Sequence, residues 1–140
     1  MADNASLDHY WELFYCAVDA CNTALKYVPE NEVLSQNAKN QYLGEAYFLR
    51  AFYYLHMVNI WGPVPYYSEP PTSIVTDPKR ESEEFIYSKI FEDLDNSIKS
   101  FEAAGYMIKT DGRANYWAAR ALKARALLYA ASWMGATSIT

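Results

Sequence analysis

The sequence predicts an all-α fold made of two antiparallel helix hairpins, and three observations carry that prediction. Apolar residues recur at steps of three and four along four separate segments, the period of a helix with a buried face. Helix-stopping residues, namely Pro29, Gly62, Gly105 and Gly135, stand where those segments end. The second and fourth segments also repeat one another at a fixed spacing.

The first helix is read from Leu7, Trp11, Phe14, Val18, Cys21, Leu25 and Val28, one apolar stripe that Ser6 or Asn4 caps and Pro29 ends. The second covers about residues 35–61. In it Ala46, Leu49, Tyr53, His56 and Ile60 keep the helical step while Phe48, Phe52, Leu55 and Val58 fill neighbouring positions. More than one face is apolar, so this helix belongs inside a stack. Gly62 suits the left-handed conformation beyond the last turn, and Pro63 and Pro65 cannot continue a helix, so the chain must leave extended. Residues 62–80, which also hold Pro70, Pro71 and Pro78, form a long crossover. Ser82 followed by Glu83 and Glu84 starts the third helix, because the hydroxyl caps free amides and the carboxylates complement the helix dipole. That helix runs to about residue 104 with Tyr87, Ile90, Leu94, Ile98 and Phe101 inward, and Gly105 ends it. A fourth, alanine-rich helix covers about residues 114–134.

The repeat is internal. Ala46, Arg50, Ala51 and Tyr54 match Ala121, Arg125, Ala126 and Tyr129 at an offset of 75 positions (46 to 121, 54 to 129). The first and third helices agree more weakly, Asp19, Asn22 and Thr23 against Asp93, Asn96 and Ser97. Two related hairpins, residues 5–61 and 82–135, are expected to stack and bury a continuous core, as tetratricopeptide repeats do. At 140 residues the whole chain is read as a single helical domain. An array of two hairpins is short, and its ends normally meet something else.

Composition excludes several functions. The formal charge is −5, with 12 basic against 17 acidic residues and no basic run, so nucleic acid is not expected as a partner. No apolar run is long enough to span a bilayer, since Arg50, His56 and Asn59 interrupt the best one. Cys16 and Cys21 fall on the first helix about 8 to 9 Å apart, beyond disulfide reach, and both are read as reduced. Their spacing is not a metal or redox motif, and His9 and His56 stand alone, so no metal or other cofactor is expected.

No catalytic residue can be assigned. Glu12, Glu45, Asp93 and Asp95 are acidic, but nothing places two of them across a cleft, and solvated helix faces explain them. The serines lack a nucleophile-elbow context, and no glycine-rich phosphate cradle occurs. Arg50 and Arg125 recur at equivalent positions inside apolar helices. A buried guanidinium must be paired, so both are expected to be buried in structural ion pairs, with Asp19, Asp93 or a helix C-terminal carbonyl as the partner. Trp61, Tyr66 and Tyr67 flank the proline corner, where aromatic rings either stack on sugar rings or cover the hairpin ends. They are the only ligand-binding residues the sequence suggests.

Residues 44–65 resemble the hallmark segment of the SusD/RagB family, through Glu45, Ala46, Phe48, Leu49, Arg50, Ala51, Tyr53, Tyr54, Gly62, Val64 and Pro65. Upstream, Trp11, Tyr15, Val18, Asn22 and Thr23 are similar to the family's preceding helix. Downstream, Ile86, Tyr87, Ile90, Asp93 and Leu94 are similar to a third motif. Gly112, Arg113 and Ala114, with Ala118, Ala119, Ala121, Leu122, Ala124, Arg125, Leu128 and Tyr129, are similar to a fourth. Four motifs in order are more specific than any one. The resemblance implies the helical scaffold part of a SusD-like protein that captures glycans or other nutrients, is not an enzyme, and works with a SusC-like TonB-dependent porin. It also implies a lipid anchor on the outer face of a bacterial outer membrane. Proteins of that family are several times longer and carry a leader that residues 1–3 do not provide, so the sequence is expected to be a piece of one. A generic tetratricopeptide-like protein-interaction module is the alternative reading.

Overall fold

The computed structural model describes residues 5–73, 76–107 and 112–133, which form four helices: α1, Ala5–Tyr27; α2, Gln36–Trp61; α3, Glu83–Ala103; and α4, Tyr116–Trp133. Consecutive helices are neighbours in space, with α2 between α1 and α3, and α3 between α2 and α4. The fold is all-α, two antiparallel hairpins, and among the described residues the only β feature is an isolated bridge from Val64 to Glu81.

The helix ends follow local chemistry. Ser35 Oγ accepts from the Ala38 amide at 3.2 Å to start α2, and Ser82 Oγ accepts from the Phe85 amide at 3.3 Å to start α3. Asn115 Oδ1 accepts from the Ala118 amide at 3.0 Å, so α4 begins at Tyr116, slightly later than the apolar pattern suggests. Gly62, at φ 67°, closes α2 by donating to the Val58 carbonyl at 2.9 Å. The expected stop at Gly135 and the Asn4 cap lie outside the described residues. The crossover leaves as an extended chain and is pinned where it returns, the Glu81 amide donating to the Val64 carbonyl at 3.0 Å.

The core lies on both sides of α2. Ala51, Tyr54, Leu55, Met57 and Val58 pack with Ile86, Tyr87, Ile90 and Leu94 of α3 and with Val18 of α1. Phe101, Tyr116 and Ala119 form a smaller cluster at the other end of α3. Between them α2 and α3 approach closely at Gly44. A Cβ there would lie 2.8 Å from the Phe101 ring, and the Ser97 hydroxyl donates to the Gly44 carbonyl at 2.7 Å. Small residues permit the approach only where a partner helix is present. Ala46 and Ala51 are buried, whereas Leu49, Ala121 and Ala124, which belong to the same motifs, are exposed. Leu7, at the start of the α1 stripe, is also exposed.

Candidate functional site

Arg50 is the centre of a buried polar knot. From the middle of α2 its Nε and Nη2 donate to Asp93 Oδ2 and Oδ1 of α3 at 2.8 and 2.7 Å, a bidentate fork. Its Nη1 donates to Asn22 Oδ1 of α1 at 2.7 Å and to the Ser68 carbonyl of the crossover at 3.2 Å. One guanidinium thus fixes three helices and a loop. Burial raises the Asp93 carboxyl above its ordinary value while the fork pulls it back. Burial likewise opposes the Arg50 charge, but the hydrogen bond and charge of Asp93 outweigh it and raise the guanidinium further. With both Asp93 oxygens on N–H donors, the ionised pair is the state this geometry holds.

The knot positions the crossover, and the crossover builds a cavity against α1. Asn22 Nδ2 donates to the Tyr67 and Glu69 carbonyls at 3.0 and 3.2 Å. The Tyr67 amide donates to the Tyr54 hydroxyl at 2.8 Å, and the Tyr15 hydroxyl donates to the Pro65 carbonyl at 2.8 Å. Above these bonds lies a space of about 680 Å³ lined by Trp11, Glu12, Tyr15, Asp19, Tyr67 and Pro71 among others. Its walls are mostly apolar, with the Tyr15 and Tyr67 rings 5.7 Å apart and edge to face. Asp19 Oδ1 is buried at the wall with no hydrogen-bond partner among the described residues. Flat apolar faces with a few polar groups are the usual make-up of a small-molecule site.

The residues read from the sequence separate here. Tyr67 lines the cavity. Trp61 instead packs edge to face on Trp11 and Phe14, with centroids 5.1 and 6.0 Å away. Tyr66 lies on Tyr54 at 4.8 Å and on Phe85 at 5.7 Å, and burial raises its phenol to about 12. Both cover the core. Arg50 and Asp93 meet each other; Arg125 and Asp19 do not follow them. Arg125 is exposed and meets no carboxylate among the described residues, because α4 packs on α3 and α2 and none of the described helices lies on its other face. Asp19 faces the cavity rather than a guanidinium. Trp11, Tyr15 and Asp19 were not expected as site residues. Trp11 and Tyr15 stand one turn apart, and Asp19 one further turn along, a signal visible only once the crossover is known to lie there.

The acidic residues weighed for catalysis are mostly engaged. Glu45 holds Arg113 through two bonds of 2.8 and 2.5 Å, Asp93 holds Arg50, and Asp95 accepts from Lys123 at 2.5 Å. Among the described residues no group of His, Cys, Asp and Glu is placed to hold a metal. The His56 ring nitrogen Nδ1 lies 2.7 Å from the Phe52 carbonyl of its own helix.

Polar residues from each of the four sequence motifs are thus joined in space, Arg125 apart: Asn22, Arg50 and Asp93 in one knot, Glu45 and Arg113 in another, and Tyr15 on Pro65. A family model of SusD-like proteins, described as starch-binding associating with outer membrane, matches residues 1–128. The chain belongs to the SusD-like family. A SusD-like protein of Formosa agariphila is 30% identical over 129 residues, which are 91% of this chain and 24% of that relative. The solved structure of a SusD superfamily protein from Parabacteroides distasonis superposes with a TM-score of 0.83 at 28% identity, covering 91% of this chain and 27% of that one. A laminarin-binding SusD-like protein superposes with a TM-score of 0.78 at 26% identity, again over 91% and 27%. The SusD-like chain described here thus spans about a quarter of the length of the relatives it matches. Among the described residues no helix is long and apolar enough to cross a membrane.

Proposed function

We propose that this chain is the helical scaffold part of a SusD-like glycan- or nutrient-binding protein that works with a SusC-like TonB-dependent porin. The protein would sit on the outer face of the outer membrane, held by a lipid anchor. The observation that carries the reading is the use to which the motif residues are put. Asn22, Glu45, Arg50, Asp93 and Arg113 bond to one another across the fold, so most of the motifs' charged and amide side chains build a frame rather than face a ligand. Family membership supports carbohydrate binding over a generic tetratricopeptide-like module.

The cavity against α1 gives the frame one ligand-facing wall. Trp11, Tyr15 and Tyr67 offer ring surface to a sugar, and Asp19 brings a carboxylate to the same wall. One wall holds an oligosaccharide weakly, since affinity needs hydrogen bonds converging from several sides. The remaining contacts would come from elsewhere in a polypeptide of the relatives' length. No hydrolysis is assigned to this wall. Affinity purification of the full-length polypeptide from native outer membranes tests the porin partnership. A TonB-dependent porin is expected in stoichiometric amount, and its absence under mild detergent would refute the partnership.

A further inference from the structure

The cavity between α1 and the crossover carries charge of one sign. Both of its walls belong to this chain, because Tyr15 and Asn22 on α1 hold the Pro65, Tyr67 and Glu69 carbonyls opposite them. Glu12 and Asp19 stand two turns apart on α1, Glu69 comes from the crossover, and all three line the space. Asp93, Glu45 and Asp95 are each paired with a cation. Among the described residues Glu12, Asp19 and Glu69 are in no ion pair, and Asp19 Oδ1 is buried without a hydrogen-bond partner. Among the described residues no lysine or arginine lines the cavity. The cations nearby are held elsewhere. Arg80 lies over the Trp11 ring at 5.6 Å and donates to the Pro63 carbonyl at 3.1 Å. Arg50 is locked on Asp93, and Lys26 lies over the Tyr27 ring at 5.6 Å, beside a smaller adjoining hollow.

We infer that this cavity selects its glycan by charge, favouring an amine-bearing oligosaccharide, accepting a neutral one and rejecting an acidic one such as a uronate. The inference rests on the reading of the cavity as a glycan-facing wall. Its apolar surface packs on sugar rings of any charge and so sets no such preference. The carboxylates do. A charge bound in a space of about 680 Å³ lies within about one Debye length of all three, roughly 8–10 Å, so salt weakens their effect without abolishing it. Three negative charges act there against the single positive charge of Arg80 at the rim. A sugar ammonium is attracted, whereas a sugar carboxylate loses water and meets only like charge. Arg80 does not reverse the sign, because reaching an acidic sugar would cost it both the Trp11 ring and the Pro63 carbonyl.

The test uses the 140-residue chain and three tetrasaccharides of one β-1,4-glucan backbone that differ chiefly in charge: cellotetraose, the glucosamine tetramer and the glucuronate tetramer. Titrations at low ionic strength are followed by NMR at the Trp11 indole and the Tyr67 amide. The amine form is expected to bind about tenfold or more tighter than the acidic form, with cellotetraose between them and the difference shrinking as salt is added. Glu12→Gln, Asp19→Asn and Glu69→Gln together, with the helical fold verified by circular dichroism, should bring the three sugars within about twofold of one another. Equal binding of the three by the unaltered chain overturns the inference, as does a preference that survives the triple substitution. Tighter binding of the acidic form, lost in Arg80→Gln, overturns it in favour of an acidic ligand. A cationic and an anionic nitroxide of equal size read the potential at the Trp11 indole with no sugar present, and the cationic one should broaden that signal severalfold more. Equal broadening overturns the inference and leaves the glycan wall standing. Unequal broadening of the expected sign with no binding of any of the three sugars overturns the glycan wall, and the selectivity with it.

Discussion

Arg50 and Arg125 are the same residue at the same place in two copies of one repeat, and they differ in everything that sets their energetics. Arg50 is 7% exposed and bonded to Asp93, Asn22 and the Ser68 carbonyl, whereas Arg125 stands in solvent. Replacing Arg50 by Met leaves Asp93 charged and buried, and should cost about 3–5 kcal/mol in urea denaturation. Arg125→Met should change stability by less than about 0.5 kcal/mol. Near-equal losses at the two sites would contradict the placement of both. The identity of Arg50 as a buried cation was legible in the sequence, because an arginine inside an apolar helix must find a partner. Its choice of Asp93 over Asp19 was not, since that depends on which helix lies on which side of α2. The Arg125 expectation failed for the same reason: a repeat fixes residue types, but burial belongs to the neighbour that covers them.

Buried phenols and a thiol give the fold a defined alkaline limit. Burial raises Tyr66 and Tyr87 from 10.0 to about 12 and Cys21 from 9.0 to about 11. It raises Tyr15 and Tyr54 further still. For each, the folded state favours the neutral form. The stabilisation is complete below the ordinary value and is lost as pH climbs through the folded one. Stability measured by denaturation should therefore begin to fall between about pH 9 and 10 and fall steeply toward pH 12. A flat profile to pH 12 would mean that these rings are exposed. At neutral pH a thiol reagent should modify exposed Cys16 and leave buried Cys21 untouched unless the chain is unfolded.

Among the elements, the four helices and their stops were readable from period and punctuation, because Ser35, Ser82 and Gly62 act through local backbone geometry alone. The crossover was readable only as a break. Its path depends on long-range bonds, Asn22 to the Tyr67 and Glu69 carbonyls and Tyr15 to the Pro65 carbonyl. No local pattern encodes them, so the cavity they create was hidden, and Trp61 and Tyr66 were grouped with Tyr67 although only Tyr67 reaches it. The close contact of α2 with α3 supplies a test at this scale. Gly44→Ala puts a methyl 2.8 Å from the Phe101 ring, which is fully buried and cannot swing away. A loss of about 1–3 kcal/mol in thermal or chemical unfolding is expected, the usual cost of overpacking. A neutral or stabilising outcome would mean that the two helices are farther apart than described.

For the whole molecule, the family was legible because its motifs include Asn22, Glu45, Arg50, Asp93 and Arg113, which bond to one another across the fold, and such residues cannot change singly without leaving a partner unpaired. The ligand was not legible. A binding wall made of Trp11, Tyr15, Asp19 and Tyr67 uses residue types that also serve packing, and this chain spans about a quarter of its relatives. The central claim is that these 140 residues are chiefly a frame with a single weak ligand-facing wall. Calorimetric titration of the chain with laminarin-derived oligosaccharides tests it most directly. Binding no tighter than about millimolar is expected, the level of one apolar wall without converging hydrogen bonds. Binding at about micromolar or tighter by this chain alone would contradict it, and would mean that the cavity is a complete site.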